Sequence, residues 1–179
     1  MRSVSAIFLL ATAACASGGT SAGGSSPATQ TFGIAGSASD RLTISPSTGP
    51  NINTVAFAPD MIWRILPAAF DSVSVPVTHV DPASKTIGNS GFKTRLRLGK
   101  TPLSRFIECG TTQIGPNADS YDVYMTLLVQ VVPDGTGSRL VTTFEASARP
   151  ISFSQSYSRC SSRGTLESRL LAAITAQLQ

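Results

Sequence analysis

Residues 121–148 read YDVYMTLLVQVVPDGTGSRLVTTFEASA, and this stretch decides the fold. Tyr121, Val123, Met125, Leu127, Val129 and Val131 alternate with their neighbours at the period of a strand. Pro133-Asp134-Gly135-Thr136-Gly137 is strong turn chemistry, since Gly takes positive φ and Asp bonds its own backbone. Leu140, Thr142, Phe144, Ala146 and Ala148 then alternate on the return, with Glu145, Ser147 and Arg149 turned outward. The pattern predicts a long antiparallel hairpin with one apolar face.

Working outward from the hairpin, the chain ends in a second kind of period. Leu166, Leu170, Ile174 and Leu178 recur every four residues, with Leu171 widening the stripe, so a helix is expected from Gly164-Thr165 onward. Its apolar face needs cover, and the sheet is the partner expected. On the N-terminal side, Ala58-Pro59-Asp60 opens another helix, with Pro at an early position and an acid in the first turn. Ile62, Leu66, Ala69 and Phe70 share one face with Trp63 beside them, and Pro67 predicts a kink or a short helix. Between the helix and the hairpin, Val73, Val75 and Val77 alternate as an edge strand broken by Pro76. Lys85-Thr86-Ile87 and, past Gly88-Asn89-Ser90-Gly91, Phe92, Thr94, Leu96 and Leu98 continue the strand pattern. Leu103 to Glu108 reads as one more short element. Before the first helix, Arg41 to Ser45 and Asn53 to Phe57 read as short strands. The expected class is α+β: a curved antiparallel β-sheet with an N-side helix and a C-terminal helix packed on one face.

The N-terminus reads as an export signal. Met1-Arg2 is a short positive region, and Val4 to Ala14 is apolar but too short to span a bilayer. Small residues precede Cys15, which resembles the lipobox of bacterial lipoproteins, with Thr12 where that motif carries Leu. The resemblance implies lipidation of Cys15 and an outer-membrane location facing the periplasm. The competing reading is ordinary signal-peptidase cleavage, because Ala11-Thr12-Ala13 and Ala14-Cys15-Ala16 both fit the small-x-small rule; the product would be soluble in the periplasm or secreted. The division expected is a signal over 1–14, Cys15 with a Gly/Ser tether over 15–31, and one domain over 32–179.

The chain has 3 cysteines, and an odd thiol in an exported protein is a liability. Acylating Cys15 leaves Cys109 and Cys160 as an even pair, which an oxidising compartment favours as a disulfide over buried free thiols. Charged residues make up 13% of the chain, well under the roughly one quarter usual for soluble domains. The net charge of +4 favours anionic surfaces but is too small to indicate nucleic acid.

Little in the sequence points to catalysis. With 1 histidine and 3 cysteines there is no HExxH and no CxxC, so no zinc site and no other cofactor is expected. His79, Asp81 and Ser90 fall within one strand-turn-strand unit, which offers no scaffold to converge a triad. His79 is expected half-buried and hydrogen-bonded. Asp119 and Asp122 flank Tyr121 and are expected to face water. The one constellation that fits binding chemistry is the row Lys93, Arg95 and Arg97, with Lys100 and Arg105 nearby. Alternation would place the first three on one strand face over about 13 Å. Arg grips phosphate and carboxylate bidentately, so anionic lipid or an acidic envelope protein suits the row; the alternative is the solvated side of an amphipathic strand.

The layout as a whole resembles a known family. A Trp-bearing helix at Ile62-Trp63-Arg64, Asp81 before Lys85-Thr86-Ile87, a meander and a final amphipathic helix are similar to the helix-grip domains of envelope lipoproteins. The lipoprotein C component of the outer-membrane β-barrel assembly machinery is an example. The likeness covers residues 55 to 178, and the Cys109–Cys160 pair is not part of that family's pattern. It implies a non-enzymatic binding or accessory module, anchored to the membrane by lipid. The alternative function is a soluble periplasmic domain that holds an apolar or lipid ligand between sheet and helix.

Overall fold

Strand-period and helix-period segments separate cleanly along the chain, and the structure is mainly antiparallel sheet with two helices. The computed structural model describes residues 30–33, 41–44, 49–152 and 155–179. Residues 1–29, on which the expected signal, Cys15 and most of the expected tether fall, lie outside the described residues. The described elements begin with β1 (Gln30–Gly33), β2 (Arg41–Ile44), β3 (Asn51–Val55) and α1 (Pro59–Ser72). They continue with β4 (His79–Asp81), β5 (Thr86–Arg95), β6 (Arg97–Leu98), β7 (Thr101–Pro102), a 3₁₀ turn (Leu103–Arg105) and β8 (Ile107–Glu108). Then come β9 (Thr111–Thr112), β10 (Gly115–Pro116), a second 3₁₀ turn (Asn117–Asp119), β11 (Asp122–Asp134), β12 (Gly137–Arg149), β13 (Ser158–Ser162) and α2 (Thr165–Ala176). β1 pairs with β2 and takes in Gln30 and Thr31, the last residues of the expected tether.

β11 and β12 form the hairpin expected, in unbroken register from Asp122↔Arg149 to Asp134↔Gly137. The connection is tighter than the Pro133–Gly137 loop suggested: only Gly135 and Thr136 lie outside the ladder, with Gly135 at φ +59. The main sheet runs β7-β6-β5-β11-β12-β13-β8 and is open. β3 also pairs with β12, and β4 with β5. Val123, Met125, Leu127, Val129 and Val131 of β11 are buried, as are Leu140, Ala146 and Ala148 of β12. Each large aliphatic side chain removed from water contributes roughly 1.5–3 kcal/mol, so this alternation largely dictates the pairing register.

β5 carries the detail that sets which way the basic residues face. Its register against β11 shifts between Met125↔Phe92 and Leu127↔Asn89, so Ser90 and Gly91 oppose Thr126 alone. That is a β-bulge, and one extra residue exchanges the two faces of a strand. Before the bulge Ile87 and Asn89 are buried; after it Phe92 and Thr94 turn inward while Lys93 and Arg95 are exposed. Asn89 supports the bulge, accepting from the Gly91 N–H at 2.9 Å and donating to the Pro76 carbonyl at 2.7 Å. Tyr124 lies across Gly91, where a Cβ would meet its hydroxyl and push the ring aside.

α1 buries Ile62, Leu66, Ala69 and Phe70, the face the spacing predicted. It does not stop at Pro67 but runs on to Ser72, held by the burial of Ala69 and Phe70 on the next turn. α1 packs on β5, β11 and α2. α2 buries Leu166, Leu170 and Ile174 in the core that the sheet residues share, and it lies against α1. Its Arg169 reaches the Thr101 hydroxyl at 3.0 Å and lies over the Phe106 ring.

Three local expectations change. Residues 73–78 form no strand: α1 extends through Ser72, Ser74 takes φ +60, and the link to β4 joins no ladder, its Pro76 carbonyl accepting from the Asn89 side chain instead. Val75 is nevertheless buried. The strand through Phe92 ends at Arg95, because Leu96 turns at φ +65 and stands 52% exposed instead of joining the core. β3 spans Asn51–Val55, two residues earlier than expected. Cys109 and Cys160 lie at disulfide-bonding distance, with Cα atoms 4.5 Å apart. They join the loop after β8 to β13, beside the Arg163–Glu108 ion pair.

Candidate functional site

Cross-strand register determines which charges meet. On the face of β11 away from its buried residues, Asp122 is flanked by Arg95 of β5 and Arg149 of β12. One pair further along, Tyr124 is flanked by Lys93 and Ser147, and Ser147 in turn pairs with Arg159 of β13. Arg97 is not on the same strand as Lys93 and Arg95; it is the register partner of Arg95 across the Leu96 turn. Leu98 beside it is buried, which leaves Arg97 on the exposed side. The single strand row expected is therefore a two-dimensional patch, with Lys93, Arg95, Arg97, Arg149 and Arg159 contributed by four strands.

Aromatic rings organise its centre. The Tyr124 and Tyr157 rings meet edge to face with centroids 6.3 Å apart, and the Arg149 guanidinium sits over Tyr157 at 4.8 Å. This contact holds Arg149 in place by cation–π attraction without neutralising it. Tyr124, Thr126, Glu145, Ser147, Tyr157 and Arg159 line a cleft of about 230 Å³. The Tyr157 hydroxyl is buried and has no hydrogen-bond partner among the described residues.

The ion pairs among the described residues are Lys85–Asp60 and Arg163–Glu108, and neither uses a cation of the patch. Asp122 and Glu145 are the acids on this part of the sheet. Like charges directly opposite across a ladder, as at Arg95↔Arg97, are destabilising by themselves. Planar guanidinium groups so placed match carboxylate or phosphate oxygens, which would relieve that repulsion.

The other singled-out residues are placed apart from this patch or committed to structure. Lys100 borders a groove lined by Ser74, Leu98, Phe106 and Arg169, beside α2. Arg105 is on the first 3₁₀ turn. His79 pairs with Gly88 in the β4–β5 ladder and is half-buried. Asp81 closes the turn after it, accepting from the Ser84 hydroxyl at 2.6 Å and the Ala83 N–H at 3.0 Å. The Ser84 bond and then the Ala83 bond hold its carboxyl below the usual carboxylate range. Ser90 lies on the bulge, where its carbonyl accepts from Thr126. Asp119 does not simply face water, for it accepts from the Ser104 N–H at 2.8 Å and hydroxyl at 2.6 Å, tying the two 3₁₀ turns together.

Arg149 had a legible signal, its outward parity on the return strand. Arg159 and Tyr157 had none, because nothing in Tyr157-Ser158-Arg159 announces a strand that pairs with β12. Among the described residues, no group of His, Cys, Asp and Glu is placed to hold a metal ion, and no helix is long and apolar enough to cross a membrane. No protein-family model matches the chain, and no curated protein matches it.

Proposed function

We propose that this chain is a non-enzymatic cell-envelope lipoprotein, anchored through Cys15, whose exposed basic patch binds an anionic envelope component. The observation that carries the reading is the convergence of Lys93, Arg95, Arg97, Arg149 and Arg159 on one end of the sheet around Tyr124 and Tyr157. Support for a helix-grip reading comes from the element order, an antiparallel sheet with one helix ahead of its long strands and one at the C-terminal end. A ligand enclosed between sheet and helices suits the structure less well. Phe70, Phe106, Leu66, Met125 and Leu127 are fully buried and occupy that space.

Changing Lys93, Arg95 and Arg97 together to Ser tests the patch. At low salt the parent protein is expected to be held on immobilised poly-glutamate and released as salt rises, since exposed charges are screened beyond about 8 Å at physiological ionic strength. The triple variant should lose retention, while stability changes by less than about 0.5 kcal/mol per site. A control carrying Arg64→Ser, Lys100→Ser and Arg139→Ser has the same net charge and should stay bound. Equal retention of the two triple variants would reduce the patch to ordinary surface.

The anchor has its own test. Cys15→Ser is expected to move the protein from the membrane fraction to the soluble fraction. A native protein that is already soluble, or a variant that stays with the membrane when washed in high salt, would remove the lipid anchor from the proposal.

A further inference from the structure

We infer that the anionic component bound by this end of the sheet is the surface of an anionic phospholipid bilayer, entered by the side chains of Leu96, Ile114 and Ile151. The inference rests on the anion-binding reading above and adds the partner.

Three aliphatic side chains are exposed on three separate turns. Ile114 is 95% exposed at the tip of the β9–β10 hairpin, whose Thr112↔Gly115 pairing leaves only Gln113 and Ile114 in the turn. Leu96 is 52% exposed at the apex between Arg95 and Arg97. Ile151 is 45% exposed just past Arg149 and Pro150. Ile114 is on the separate β9–β10 hairpin that precedes β11 in the chain, and Leu96 and Ile151 follow the strand ends that pair with Asp122, where β11 begins. β5 finishes there with Arg95↔Asp122, β12 finishes there with Arg149↔Asp122, and β10 leads there through the Asn117–Asp119 turn. Cys109, Asn117, Tyr121, Pro150 and Arg159 line one cleft, which joins the base of the β9–β10 hairpin to the edge of the basic patch.

A single exposed aliphatic residue means little, since much of any protein surface is apolar. The combination is more specific. Aliphatic tips beside Arg and Lys, with Tyr between, are what an interfacial layer accommodates: headgroup phosphates take the cations, Tyr sits at the boundary, and short apolar side chains enter below it. Leu96 adds a second argument. A Leu at φ +65 is sterically disfavoured, and here the strain points the side chain at solvent instead of into the core. Tips on separate turns do not form a closely packed apolar centre of the kind found in the buried middle of protein–protein interfaces, and a fluid bilayer adapts to them.

The experiment uses the exported full chain carrying Cys15→Ser, so that no lipid contributes, with three probes. These are vesicles of equal phosphatidylglycerol and phosphatidylcholine, vesicles of phosphatidylcholine alone, and poly-glutamate. The protein should sediment with the mixed vesicles and far less with the neutral ones. Leu96→Ser, Ile114→Ser and Ile151→Ser together should weaken vesicle binding by about tenfold or more at unchanged charge. Retention on poly-glutamate and the melting temperature should stay as in the parent. Ile114→Ser alone, on the most exposed tip, should show a smaller loss and serves if the triple variant folds poorly. Vesicle binding unaffected by the tip changes would overturn the insertion. Poly-glutamate binding without vesicle binding would make an acidic macromolecule the partner and overturn the bilayer alone. Binding to neither probe would overturn the anion reading and this inference together.

Discussion

Cys109→Ser with Cys160→Ser is expected to lower the unfolding free energy by about 4 kcal/mol, the chain-entropy value for a loop of this length. The two cysteines are 51 residues apart, and the segment between them includes the whole central hairpin. Other ties between the same regions are slight. β13 pairs with β8 only at Ser161↔Glu108 and Ser162↔Ile107, and the Arg163–Glu108 ion pair is about half exposed. An exposed ion pair contributes roughly 0–1 kcal/mol, too little to replace the covalent link. Urea denaturation of parent and double variant would measure the difference, and a loss below about 1 kcal/mol would show that the link adds little. A functional effect should accompany the loss of stability. Arg159 is adjacent to Cys160 on β13, which pairs with β12 only at Ala146, Ser147 and Ala148. Freeing this edge should loosen Arg159 and Tyr157 and weaken retention on poly-glutamate below the unfolding range.

Phe70→Ala is the second large effect, expected to cost about 4 kcal/mol, within the range for removing a buried aromatic ring. Phe70 is 0% exposed in the last turns of α1, the helix that touches both β5 and β11 and packs on α2. The cavity left by the ring would lie where these elements meet, and the surrounding backbone relaxes only partly. Whole domains are stable by only about 5–15 kcal/mol, so this single change should bring the variant close to unfolding at growth temperature. Chemical denaturation measures it directly. A cost under about 1.5 kcal/mol would mean that the site collapses around the smaller side chain and that the α1–sheet contact is less tightly packed than the burial implies.

Much of the architecture is written in local periodicity. Val123 to Val131 and Leu140 to Ala148 alternate because one face of each strand is buried, and that requirement acts residue by residue. The buried face of α1 and the stripe of α2 are legible for the same reason at the helical period. The closeness of Cys109 and Cys160 followed from simple counting once Cys15 was set aside.

The basic patch was only half legible, because its parts come from strands distant in sequence. Lys93, Arg95 and Arg97 form a row on paper, yet the positive-φ turn at Leu96 moves Arg97 to another strand. Ile87 and Lys93 have the same parity, and without the Ser90–Gly91 bulge they would share a face. The bulge is braced by Asn89, which reaches the Pro76 carbonyl and the Gly91 N–H, contacts that no local period announces. Arg149 and Arg159 join the row only through the registers Asp122↔Arg149 and Ser147↔Arg159. The sequence by itself determined the class of fold and the faces of its longest elements, because burial acts locally along each segment. Tertiary structure alone decided which charges stand together and toward which side they point, because cross-strand neighbours are chosen by pairing and by a single extra residue in one strand.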